Sequence, residues 1–207
     1  MDIPKLIQEI AILAPPFLLA LTLHEFAHGF IAYRLGDPTA QRLGRLSLNP
    51  LKHLDPLGVV AFLIMKIGWA KPVPVDARYF KNPRQGMIWV SLAGVSANLL
   101  LALFSGLAAR LLLPVGHLLP MALFWPLIQM LAASVWINVM LAVFNLIPIP
   151  PLDGSQVLSN LLPPELARIY SKLEPVGFII LLALFYTGVI PKIMHPLISF
   201  AQELILG

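Results

Sequence analysis

Three residues near the start of the chain have the types and spacing for hydrolytic metal chemistry: His24, Glu25 and His28, in the order H-E-x-x-H. On a helix, residues four apart share a face, so His24 and His28 offer two imidazoles to one Zn²⁺. Glu25 lies one step round, within reach of water at the metal's open position. The motif sits in an apolar run from about Ile10 to Leu35. Ionisable groups at bilayer depth cost about 2.5–3.5 kcal/mol each on insertion scales, and they usually mark a site. A chance match on a structural helix is the competing account, and that cost argues against it.

Hydrolytic zinc takes three protein ligands and keeps a fourth position open. The chain has no cysteine, so the third ligand must be His or a carboxylate. Candidates are Asp153, His53, His117, His195 and the other acidic residues. No H-x-x-G-x-x-H extension follows the first motif. Asp153 is favoured because it follows an apolar span and sits in a Pro/Gly-rich break, Pro148-Ile149-Pro150-Pro151-Leu152-Asp153-Gly154. The alternative is that Asp153 caps the helix starting near Ser155, a common use of Asp. The residues alone leave these two open. His53, His117 and His195 lie near span ends and read as interface histidines.

The elements that must hold these groups are membrane spans. Of 207 residues, 58% are hydrophobic and 12% charged, with mean hydropathy +0.84. That composition indicates an all-α polytopic membrane protein, a bundle of about four to six helices forming one domain over 1–207. Apolar runs predict spans over about Ile7–Leu35, Met87–Leu113, Met121–Ile147 and Val176–Ile190, with Pro191 ending the last. Pro15-Pro16 predicts a kink or restart in the first. The tail 192–207 is read either as interfacial or as a short tilted span. The apolar run 57–67 has only eleven residues and is read as a re-entrant hairpin, since a span needs about 20. The stretch 68–75 is extended and stiffened by prolines. No basic leader with a cleavage site opens the chain.

The net charge of +4 comes from cations scattered through the connections, which suits anionic lipid better than nucleic acid. Segments 37–56, 71–86 and 155–175 together carry nine Lys and Arg, against Lys5, Arg110 and Lys192 on the opposite side. The positive-inside rule therefore puts those three segments in the cytoplasm and the N-terminus outside, with the motif nearer the cytoplasmic face.

The joint pattern resembles the site-2 protease family of intramembrane zinc metalloproteases. His24-Glu25-Phe26-Ala27-His28, Gly94-Val95-Ser96-Ala97-Asn98, and Asn145 with Pro148 and Leu152-Asp153-Gly154 fall where that family carries its motifs. Gly68-Trp69-Ala70-Lys71-Pro72-Val73-Pro74-Val75 is similar to a compact bacterial and archaeal branch. The resemblance covers essentially the whole chain. It implies that His24, His28 and Asp153 bind one Zn²⁺, that Glu25 is the general base, and that the substrate is a transmembrane protein or peptide in a prokaryotic cell membrane. It also implies a minimal core for regulated intramembrane proteolysis, without PDZ or CBS modules.

Asn98 is then a donor to the oxyanion or substrate backbone, or an interhelical hydrogen bond. Asn145 is a substrate clamp or a partner that orients a metal ligand, or bonds its own helix backbone. Segment 57–75 offers an edge for an extended substrate, or is a stiff connector. A membrane metal transporter is the competing functional class. Glu25 discriminates, since transport needs no general base beside two ligands.

Overall fold

The computed structural model describes residues 2–58 and 70–207. The first helix, α1 (Ile3–Arg34), is opened by Asp2, whose side chain accepts from the Lys5 amide. It continues through Pro15 and Pro16 as one helix. At about 1.5 Å per residue it exceeds a ~30 Å hydrocarbon core. A one-turn helix, α2 (Thr39–Arg42), follows, and then short 3₁₀ turns at Pro50–Lys52 and Ala77–Tyr79. From residue 83 on, the α-helices are α3 (Pro83–Leu112), α4 (Met121–Asn145), α5 (Asp153–Leu161), α6 (Pro164–Tyr170), α7 (Glu174–Tyr186) and α8 (Val189–Leu206). The expected re-entrant segment lies outside the described residues from 59 on, as do Gly68 and Trp69.

Among the described residues, five stretches are long and apolar enough to cross a membrane: Ile3–Arg34, Pro83–Leu118, Met121–Asn145, Pro164–Tyr186 and Val189–Leu206. The chain is an all-α, multi-pass integral membrane protein. Helix α3 shows how its packing differs from that of a soluble protein. Leu100, Leu103, Phe104, Leu107 and Leu111 are all more than half exposed. Gly94, Asn98, Ala102, Ser105, Gly106 and Ala109 are buried. Large apolar groups face outward, where lipid solvates them, and small or polar ones let helices approach.

The core is α1, α3 and α4. Helix α3 runs antiparallel to both neighbours: Asn98 meets His24 and Val90 meets His28, while Asn98 meets Asn138 and Ser105 meets Ser134. Helix α8 packs on this core, with Ile198 and Ile205 against Ala102, Val135 and Val139. A second cluster, Leu152, Leu181, Ile190 and Met194, ties the 146–152 break to α7 and α8.

The last boundary differs from the sequence expectation. The chain breaks at Gly188, in the left-handed conformation at φ +77°, rather than at Pro191. Glycine past a helix end is a usual stop, whereas proline in a first turn needs no N–H and is tolerated there. The tail, which sequence left between interface and span, is a regular helix.

Candidate metal centre

Helix α1 presents His24 and His28 on one face, and α3 supplies the surface that receives them. The Nδ1 of His24 lies 2.6 Å from Asn98 Oδ1, and the Nδ1 of His28 lies 2.7 Å from the Val90 carbonyl. Val90, Gly94 and Asn98 are four residues apart, so they form a single stripe. A Cβ at Gly94 would come within 2.5 Å of His28 Nε2 and 2.7 Å of His24 Cε1. The Gly-x-x-x-Asn spacing thus has a local cause: glycine opens room for two rings, and one turn later asparagine orients one of them.

Asn98 is fully buried, and all its polar atoms are engaged. Its Nδ2 donates to the Ala20 carbonyl at 3.3 Å and to Asn138 Oδ1 at 2.8 Å. Asn138 in turn donates to the Ser134 carbonyl at 2.8 Å. Because a backbone carbonyl can only accept, it fixes the orientation of each amide, and Oδ1 of Asn98 is left to face His24. Both imidazoles then carry hydrogen on Nδ1 and turn Nε2 toward each other.

Asp153 closes the group. It is the first residue of α5, the N-cap is Leu152, and no side chain caps the helix. Its carboxylate turns to the imidazoles instead: Oδ2 is 3.2 Å from His24 Nε2 and 3.4 Å from His28 Nε2. Gly154 permits this, since a Cβ there would collide with the backbone of Leu146 and Ile147. The Leu-Asp-Gly order is a core residue, a carboxylate and a point of close backbone approach.

The donor set fits zinc. The two Nε2 atoms are 3.0 Å apart, and with Asp153 Oδ2 they form a nearly equilateral triangle. Tetrahedral bonds of 2.0–2.1 Å would separate neighbouring ligand atoms by about 3.3 Å. Three lone-pair-bearing atoms this close repel one another unless a cation joins them. Among the described residues, Asp153 Oδ2 is buried and makes no hydrogen bond. Among the described residues, these three are the group of His, Asp or Glu side chains able to share one ion.

Glu25 is buried at 8% exposure, and its Oε2 accepts the Val73 amide at 2.9 Å. That amide belongs to the extended stretch leading into α3 and lies between Pro72 and Pro74. The other candidates lie elsewhere. Asn145 donates to Leu141 O on its own helix at 3.0 Å. His53 is fully buried and bonds the Ser47 carbonyl at 2.7 Å. His117 is exposed beside Pro114, and His195 lines a groove between α4 and α8. Sequence reasoning missed Asn138, Asp37 and Arg45. The first had a usable signal, a polar Ser134/Asn138 pair one turn apart in an otherwise apolar span.

The model of peptidase family M50 matches residues 114–184. "Putative zinc metalloprotease YwhC" of Bacillus subtilis is 39% identical over 189 residues, covering 91% of this chain and 86% of that protein. "Putative zinc metalloprotease Rip2" of Mycolicibacterium smegmatis is 36% identical, covering 83% of this chain and 65% of that one. Its namesake in Mycobacterium tuberculosis strain H37Rv is 35% identical, with 82% and 64% covered. No solved structure matches. Similarity to YwhC along most of both chains, joined to a ligand triangle of zinc dimensions, makes this chain a member of peptidase family M50, the site-2 protease family of zinc metalloproteases.

Proposed function

We propose that the chain is an intramembrane endopeptidase, hydrolysing a peptide bond within or near a transmembrane segment of a membrane-protein substrate. One observation carries this reading: His24, Glu25 and His28 are buried, and Asp153 half-buried, among apolar helices long enough to cross a bilayer. The described helices act as one catalytic unit, with His24, His28 and Asp153 holding the metal. Zinc, when bound there, supplies a Lewis acid that polarises a carbonyl and makes water a better nucleophile at neutral pH.

The chain's own residues do the rest. Glu25 is the general base. Its Oε2 is held by Val73 N–H, which leaves Oε1 to take a proton from attacking water and return it to the leaving amine nitrogen. Asn98 orients His24 and holds its tautomer. Its N–H groups are spent inside the bundle, so the hydrogen bonds support positioning over oxyanion contact. The back-bond of Asn145 leaves its carbonyl oxygen for a substrate backbone. A transmembrane helix must unwind before its peptide bond can be attacked, and the extended residues 70–75 beside Glu25 give an unwound strand something to pair with. The distribution of Lys and Arg supports an active site nearer the cytoplasmic face of a prokaryotic membrane.

Glu25→Gln tests the reading. Zinc stays bound at one ion per chain, and cleavage of a co-expressed transmembrane substrate is lost. Cleavage by a zinc-loaded Glu25→Gln protein would overturn the assignment of the base.

A further inference from the structure

Arg45 has no role in the reading above, yet its placement is costly. The residue is buried, at 9% exposure, in the loop after α2. Among the described residues no carboxylate pairs with it. Among the same residues its buried Nε has no hydrogen-bond partner. Burying an unpaired cation is unfavourable, so something must be gained from its remaining contacts. Those are two backbone carbonyls: Nη2 donates to Lys71 O at 2.6 Å and to Pro72 O at 3.3 Å.

The Pro72 carbonyl belongs to the same peptide group as the Val73 N–H. That plane is gripped at both ends, by the Arg45 cation at its oxygen and by the Glu25 carboxylate at its N–H. A peptide unit is rigid, so fixing the oxygen fixes the direction of the N–H. The charges also match its dipole, and hydrogen bonds in series polarise one another. Prolines 72 and 74 fix φ on either side and contribute no competing donor. Further anchors hold the strand in register: Lys71 N–H donates to His53 O at 2.9 Å, and Asp76 N–H to Asp37 Oδ2 at 2.7 Å.

We propose that Arg45 is a positioning residue for peptide hydrolysis, aiming the Glu25 carboxylate through the Pro72–Val73 peptide. This rests on the reading of Glu25 as general base. It concerns how that base is held, and it makes no claim on the metal ligands.

The test uses the full chain in liposomes with a transmembrane substrate. Arg45→Gln, Arg45→Lys and Glu25→Gln are each assayed for zinc content, kcat, KM and residue-resolved hydrogen exchange at Val73. In Arg45→Gln, kcat falls about 10- to 100-fold, part of the ~10²–10⁴ that a general base supplies, while zinc and KM hold. The Val73 amide exchanges at least about tenfold faster, as expected for a lost hydrogen bond. Lysine reaches a single carbonyl, so Arg45→Lys falls between wild type and Arg45→Gln on both measures. The inference is overturned if zinc-loaded Arg45→Gln keeps its kcat, if only KM changes, or if kcat falls with Val73 still protected. It is also overturned if both Arg45 variants lose zinc, which would make Arg45 a purely structural residue. Cleavage by Glu25→Gln would remove the underlying assignment of the base instead, whatever the Arg45 variants do.

Discussion

At the scale of single residues, the two histidines are held by different means, and Asn98 is where this can be measured. It touches His24 at 2.6 Å and is buried from solvent. Removing a partner that orients a ligand typically costs about 10- to 100-fold in metal affinity. Asn98→Ala should therefore weaken zinc binding by that factor, read by competition with a chelator. An oxyanion role would instead leave affinity unchanged and lower kcat alone. His24, Glu25 and His28 were legible because helical spacing is a local property of sequence. Asp153 was not legible from the residues by themselves, because aspartate before a helix is as often a cap. Its carboxylate turns to the imidazoles only because Gly154 admits the backbone of Leu146 and Ile147. Arg45 gave no sign at all. It read as one of several loop cations, and its partners are carbonyls 26 and 27 positions away.

At the scale of elements, hydropathy located the spans and missed how the last ones divide. Proline was read as the terminator at 191, but the break belongs to Gly188. Open space surrounds that glycine, with nothing within 4 Å of an added Cβ, so only its backbone conformation resists substitution. Gly188→Ala should destabilise the fold by about 1 kcal/mol, the penalty for a left-handed alanine, without altering zinc content. Denaturant titration alongside metal analysis checks both halves. The stretch after Lys71 shows the opposite limit. Its prolines announced an extended backbone, but periodicity cannot say what an extended segment lies against. Contact with Glu25 arises from anchors at Asp37, Arg45 and His53, each far from it in sequence.

For the whole molecule, an outward-facing apolar surface and a small-residue interior make lipid the solvent of the fold. The absence of cysteine allows a direct test of its orientation. Single cysteines at Gln41 in α2 and at Leu118 just past α3, both exposed, should react with a membrane-impermeant maleimide from opposite sides. Gln41→Cys is expected to label from the cytoplasmic side and Leu118→Cys from outside; the reverse pattern would invert the topology inferred from lysine and arginine.

The Val90 carbonyl that receives His28 is a main-chain atom, and every residue type brings one. No point substitution at position 90 can delete that acceptor, provided the helix keeps its course. Saturation mutagenesis should then find a lopsided tolerance across the two imidazoles: a hydrophobic replacement is accepted behind one, while the amide behind the other has no synonym. A lineage drifting under selection for zinc retention would be free to vary the first position and bound to keep the second.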